Sequence, residues 1–235
     1  MLTFENMQVV MENFSLVADF TVQAGSKVAV IGPSGGGKST LLNVVAGFQA
    51  PTSGRVLWQG RDMAGMTPGE RPVSILFQDN NVFPHLTVAQ NVGLGIRPNL
   101  RLSQAEKERV KTALERVGLA GFGDRKPAAL SGGQVGRVAL ARMMLRDRPL
   151  VLLDEPFAAL GPALKAEMLA LVGDLVEESG ATLMMVSHDP EDAKQIGGQT
   201  VLVADGVAHA PVKTKLLFAD PPEALQAYLG NMKSI

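Results

Sequence analysis

Eight residues, Gly32-Pro33-Ser34-Gly35-Gly36-Gly37-Lys38-Ser39, constrain this chain more than any other feature. They match G-x-x-x-x-G-K-[ST] and lie between a β-branched run, Lys27–Ile31, and a helical stretch, Ser39–Ala46. Glycines let successive backbone N–H groups converge on phosphate oxygens without Cβ clashes. The following helix aims the positive end of its dipole at the same point. In such a loop Lys38 reaches the β- and γ-phosphates of a nucleotide and the Ser39 hydroxyl ligates Mg²⁺. Thr40 is grouped with these phosphate-binding residues. A ligand-free glycine turn is the bland alternative, and the full motif between strand and helix argues against it.

A second constellation follows. Leu150–Leu153 reads as a short buried strand ending in Asp154-Glu155. Asp154 would hold Mg²⁺, directly or through water, and Glu155 can accept a proton from an attacking water. Alone, an apolar strand ending in an acidic turn is ordinary; its weight comes from the Lys38 loop. Leu130-Ser131-Gly132-Gly133-Gln134 is another Ser-capped helix start, hence another anion-binding N-terminus. As an isolated string it is only a capped helix. With one phosphate site already complete at Lys38, the simplest use of a second, lysine-free cradle is to close over the nucleotide of another copy. That arrangement is a two-fold dimer with two sites.

Composition limits the setting. A length of 235 residues suits one large α/β domain. A net charge of −1 gives no electrostatic footprint for nucleic acid. With no cysteine there is neither a disulfide framework nor a thiolate metal site. No stretch approaches the ~20 apolar residues that cross a bilayer, and Met1–Val10 lacks the pattern of a signal peptide. A soluble, cytoplasmic protein is expected, reaching a membrane only through a partner.

Strands are expected at Met7–Met11, Phe14–Val22, Lys27–Ile31, Arg55–Gln59, Val73–Phe77, Leu150–Leu153 and Thr182–Ser187, with a hairpin around Asp205-Gly206. Helices are expected over Ser103–Val117, Gly132–Arg146 and Pro162–Glu178, the last with Pro at its first turn. The segment from Leu86 to Arg146 reads as an inserted helical subdomain.

The order GPSGGGKST, Gln78, LSGGQ, VLLDEP, His188 resembles the ABC-transporter ATPases over almost the whole chain. The resemblance implies an α/β P-loop NTPase core with a mostly parallel sheet, an N-terminal antiparallel β subdomain and the helical insertion. On that reading 1–235 is a single domain, with about 1–85 and 147–235 as core and about 86–146 as helices. It implies that Gln78 senses Mg²⁺ and water and links the site to a membrane subunit. It also implies that His188 contacts the γ-phosphate and acts with Glu155. By itself a histidine after a strand is more often structural or solvated.

The run Phe77–Val88 looks like importers fed by a substrate-binding protein. Arg71-Pro72-Val73-Ser74 with Gln78–Leu94 is similar to the ATP-binding subunits of thiamine importers. The implied partners are a second copy, membrane-spanning permease subunits through Phe83-Pro84-His85 and, indirectly, a periplasmic binding protein. The implied place is the cytoplasmic face of the inner membrane. The short tail is expected to leave no room for the C-terminal regulatory β domain of many sugar, sulfate and polyamine relatives.

Three positions depart from the family. The aromatic that stacks on adenine is absent near the end of the first strand, where Met11 or Phe14 could substitute. Ala129 stands where relatives often carry an acid, and Gly161 replaces the aspartate of the Ala-Leu-Asp loop. The alternatives are a ferric iron, polyamine or sulfate importer, a non-transport ATPase, or a switch without turnover. DNA-repair and chromosome-organising relatives carry a long coiled-coil insertion, but fewer than 100 residues separate Ser39 from Ser131. Translation-factor relatives carry two such domains in one chain. Glu155 and His188 weigh against a switch.

Overall fold

The computed structural model describes residues 1–77 and 81–232. The first part of the chain forms β1 (Leu2–Met11), β2 (Phe14–Val22), β3 (Lys27–Ile31), α1 (Lys38–Ala46), β4 (Ser53–Trp58), β5 (Arg61–Asp62) and β6 (Val73–Leu76). Three helices follow, α2 (Val88–Gly93), α3 (Gln104–Arg116) and α4 (Gly132–Leu145). Then come β7 (Leu150–Asp154), α5 (Pro162–Ser179), β8 (Thr182–Val186), α6 (Pro190–Ile196) and β9 (Gln199–Ala204). The last elements are β10 (Val207–Ala208), β11 (Val212–Lys213), α7 (Thr214–Ala219) and α8 (Glu223–Met232).

The described strands form one sheet in the order β5-β4-β1-β2-β10-β9-β3-β8-β7-β6, with β11 on β9. From β9 to β6 the pairing is parallel; β5, β4, β1 and β2 pair antiparallel. Parallel strands are covered on both faces, and the alternation shows it. Leu150 and Leu152 of β7 join Met184 and Val186 of β8 beneath α1. Val151, Leu153, Leu183 and Met185 point the other way, into α4 and α5. Val138 and Ala141 of α4 instead pack with Val88 and Val92 of α2 and Val110 and Leu114 of α3. One helix thus joins the sheet to the α2–α3 layer.

The first strand begins at Leu2, five residues before the expected Met7. The reason is a bulge. Leu2 and Phe4 face the core, then Asn6 adopts φ 45° and the register shifts, so that Met7 and Val9 face it instead. The change of parity hides the alternation. Helices α6, α7 and α8 also went unforeseen. They are short, although Asp189-Pro190-Glu191 is a helix-start pattern and the Asp189 side chain accepts from Glu191 N–H at 3.0 Å.

Arg71 ties the antiparallel part to α1. Its guanidinium is buried and donates to Val44 O at 2.6 Å, Val45 O at 2.9 Å, Met63 O at 3.0 Å and Met66 O at 3.3 Å. Two of these carbonyls belong to the last turn of α1, whose orphan acceptors need donors and whose dipole favours a cation. Arg71→Met would orphan buried carbonyls. It should lower unfolding free energy by roughly 2–4 kcal/mol, the scale of lost charged hydrogen bonds, read as a lower midpoint in urea denaturation.

Candidate active site

The site is built on strand ends. Val30 pairs with Val186, and Val186 with Asp154, so β3, β8 and β7 finish at one level. The chain leaves β3 into the Gly32–Gly37 loop, which folds on itself through Gly36 N–H to Pro33 O at 3.1 Å. Gly37 caps α1 with φ 104°, and a Cβ there would lie 2.6 Å from the Phe14 ring. Both facts require glycine. They also place Phe14 under the loop.

Lys38 is buried, and its Nζ donates to Gly32 O and Pro33 O, each at 2.9 Å. Burial lowers the pKa of the ammonium, while Glu155 and Asp154 pull it upward. Ser39 Oγ donates to Asp154 Oδ1 at 3.0 Å. Glu155 sits in left-handed backbone at φ 46°, a conformation that costs a non-glycine residue energy and clusters at functional sites. Its Oε2 lies 3.1 Å from His188 Nδ1. A cleft of about 410 Å³ runs beside these groups, lined by Met11, Phe14, Ser34, Gly35, Gly37, Lys38, Ser39, Thr40 and Glu155. Oxygen donors, a lysine and a positive helix end converge there, as a magnesium-bound polyphosphate requires.

Lys38, Ser39, Asp154, Glu155 and His188 therefore come together. Ser131–Gln134 does not line the cleft. Ser131 caps α4 by a reciprocal pair: its Oγ accepts from Gln134 N–H at 3.3 Å and its N–H donates to Gln134 Oε1 at 3.0 Å. Gly132 is exposed beside it, while Gly133 is buried against α5, where an added Cβ would lie 2.4 Å from Leu164 Cδ2. Gln78 lies outside the described residues. Phe83 is 44% exposed because buried Asn91 holds its backbone instead, accepting from Phe83 N–H at 2.8 Å and donating to Phe83 O at 3.0 Å. Gly161 is the N-cap of α5 with no side-chain bond, and Pro162 follows at the first helical position.

Sequence reasoning missed the loop's supports. Lys165, Asp192 and Tyr228 surround the segment carrying His188, but Lys165 lies 24 residues from Asp189 and Tyr228 lies 40 from His188, so these contacts leave no local pattern.

The sequence profile of the ABC transporter family matches residues 17–158. The chain belongs to that family. It is 63% identical to a thiamine import ATP-binding protein of Cereibacter sphaeroides over 98% of this chain and 100% of the relative. It is 54% identical to one from a Ruegeria species, again over 98% and 100%. Among solved structures, a Clostridium perfringens protein described as part of an ABC transporter complex matches at TM-score 0.83 and 27% identity. That match covers 100% of this chain and 98% of that one. A dimeric ATP-binding cassette in a post-hydrolysis state with ADP and phosphate matches at TM-score 0.77 and 29% identity. It covers 91% of this chain and 99% of that one. The protein is thus an ABC ATPase with a mixed α/β fold, and its ATP hydrolysis is coupled to transport.

In this ABC ATPase Asp154 is held at a cost. Burial raises its carboxyl above the ordinary 3.8; Glu155 adds to the rise, while the Ser39 hydroxyl and Lys38 oppose it. A carboxyl whose folded pKa is raised destabilises the protein as pH climbs through that window, because the unfolded chain releases the proton first. Asp154→Asn should therefore raise the urea midpoint of the nucleotide-free, metal-free chain at pH 7. The gain should vanish near pH 3, where both side chains are neutral; a midpoint unchanged at pH 7 contradicts the placement.

Proposed function

We propose that this chain is the ATP-hydrolysing motor of a thiamine importer, working as a pair on the cytoplasmic face of the membrane. Full-length identity of 63% to a thiamine import ATP-binding protein supports it, beside a complete Lys38, Ser39, Asp154, Glu155 and His188 cluster. The loop Gly32–Gly37 with Thr40 wraps the phosphates, and Lys38 exchanges its carbonyl partners for phosphate oxygens. Ser39 and Asp154, hard oxygen donors 3.0 Å apart, fit Mg²⁺, and Gln78 completes that set. The ion would neutralise charge on the phosphates. Glu155 takes the proton of the attacking water, and His188, bonded to it, faces the γ-phosphate.

The residues 1–235 act as one ABC ATPase domain, with about 86–146 as the helical subdomain that meets the permease. Phe83, exposed on its Asn91 anchor, is the contact residue there. Ser131, Gly132, Gly133 and Gln134 cover the nucleotide of the second copy, consistent with their absence from this chain's own cleft. Met11, 46% exposed, and Phe14 both line the cleft, and they are the side chains that cover adenine. A periplasmic binding protein delivers the cargo to the permease.

Glu155→Gln should still bind ATP but turn over roughly 10²–10⁴-fold more slowly, as for loss of a positioned base. It should accumulate an ATP-bound dimer in sedimentation, and cells relying on it should lose uptake of labelled thiamine. Normal hydrolysis sinks the catalytic assignment; lost hydrolysis with undiminished thiamine uptake sinks the cargo. Ser131→Arg should leave nucleotide binding to the monomer within twofold while abolishing ATP-driven dimerisation and turnover. Binding lost in the monomer means that the Ser131 turn serves its own chain.

A further inference from the structure

Lys165 stands in the first turn of α5, outside the cleft, yet its ammonium reaches the segment that carries His188. Nζ lies 2.6 Å from Asp189 Oδ2 and 2.7 Å from Asp192 Oδ1. The remaining carboxylate oxygens are also engaged. Asp189 Oδ1 accepts from Glu191 N–H at 3.0 Å, and Asp192 Oδ2 accepts from Ser187 Oγ at 2.5 Å. Ser187 Oγ accepts in turn from Asp189 N–H at 3.0 Å. The residues on either side of His188 are therefore closed into one network whose only cation is Lys165 among the described ionic contacts. Tyr228 of α8 donates to the His188 carbonyl from another side.

The charges behave accordingly. Burial works against the Lys165 ammonium, but hydrogen bonds to Asp189 and Asp192 outweigh it and raise its pKa. Asp189 is held low despite burial, by Lys165 and the Glu191 amide. Burial, with Asp189, Glu155 and Asp192 nearby, pushes the Tyr228 hydroxyl up to about 12, so it remains a donor.

One residue earlier, Leu164 packs over Gly133, where an added Cβ would lie 2.4 Å from its Cδ2. The same helical turn thus touches the Ser131–Gln134 turn on one side and the His188 segment on the other. Gly161, which begins this helix, carries no side chain to reach across to a second copy.

We propose that Lys165 is a positioning residue that locks the His188 segment of one site to the Ser131 turn serving the other. This rests on the dimer reading above. A helix turn gripped at both ends moves as a unit, so removing the ionic grip uncouples hydrolysis from closure without touching the nucleotide.

The test uses the full chain with Mg-ATP. Lys165→Met should bind a fluorescent ATP analogue within twofold of wild type, keep KM within threefold and lower kcat at least tenfold. In the Glu155→Gln background it should also weaken ATP-driven dimerisation at least fivefold in sedimentation. Lys165→Arg should recover at least half of both. Asp189→Asn, which keeps the cap oxygen but not the charge, should repeat the Met result and stands in for it if the Met chain does not fold. Turnover and dimerisation both within twofold of wild type overturn the proposal. A fall in turnover with dimerisation unchanged also overturns it, leaving Lys165 a local prop of His188. Loss of nucleotide binding not restored by Arg overturns it as well, in favour of a structural role. If the wild-type chain does not hydrolyse ATP and the Glu155→Gln chain with Lys165 intact does not dimerise, the dimer reading itself falls and takes the proposal with it.

Discussion

Parallel pairing of β3, β8 and β7 is the constraint on which the rest depends. Val30, Val186 and Asp154 stand in line across three adjacent strands, so whatever follows each strand emerges at the same edge of the sheet. The glycine loop, the two carboxylates and the histidine come from points up to 156 residues apart in sequence, from Gly32 to His188. A one-residue slip of any pair would move its side chains to the opposite face. The aliphatic layers above and below the sheet hold that register; α1 and α5 are its two lids as well as carriers of Lys38 and Lys165.

Burial shapes the electrostatics at this edge. Charges taken out of water need partners, and each has one within the chain: Lys38 on two carbonyls, Asp154 on Ser39, Glu155 beside His188. The strain at Glu155, φ 46°, is of a piece with this. Its N–H is bonded to Val186 O at 3.2 Å, so the unfavourable turn is fixed by the neighbouring strand. The carboxylate is thereby aimed toward the histidine.

Much of this was legible in the sequence, because contiguous motifs report contiguous structure. The glycine loop, the Ser131 cap and the Pro162 start fall where their residue chemistry requires. The parallel strands were legible as short apolar runs, to within two residues at their ends, but the start of the first strand was missed at Asn6, where a bulge reverses the alternation, and the short β5 and β11 were not foreseen. That Met11 and Phe14 line one cleft could not be read, since it depends on the Phe14 ring lying under Gly37 across the sheet. The contacts of Arg71, Lys165 and Tyr228 were invisible for a related reason. A donor that satisfies distant carbonyls or carboxylates looks like any surface residue until the fold brings its partners in.

The bonds from Lys38 to Gly32 O and Pro33 O carry a consequence for the cycle. On the proposed reading, phosphate arrival would be a swap of partners rather than the capture of a bare cation, with the carbonyls solvating the ammonium whenever the phosphate is gone. A cation already bonded in the empty loop would give up two partners for those it gains, so the empty and filled loops would differ less in energy than the charge of a phosphate alone suggests.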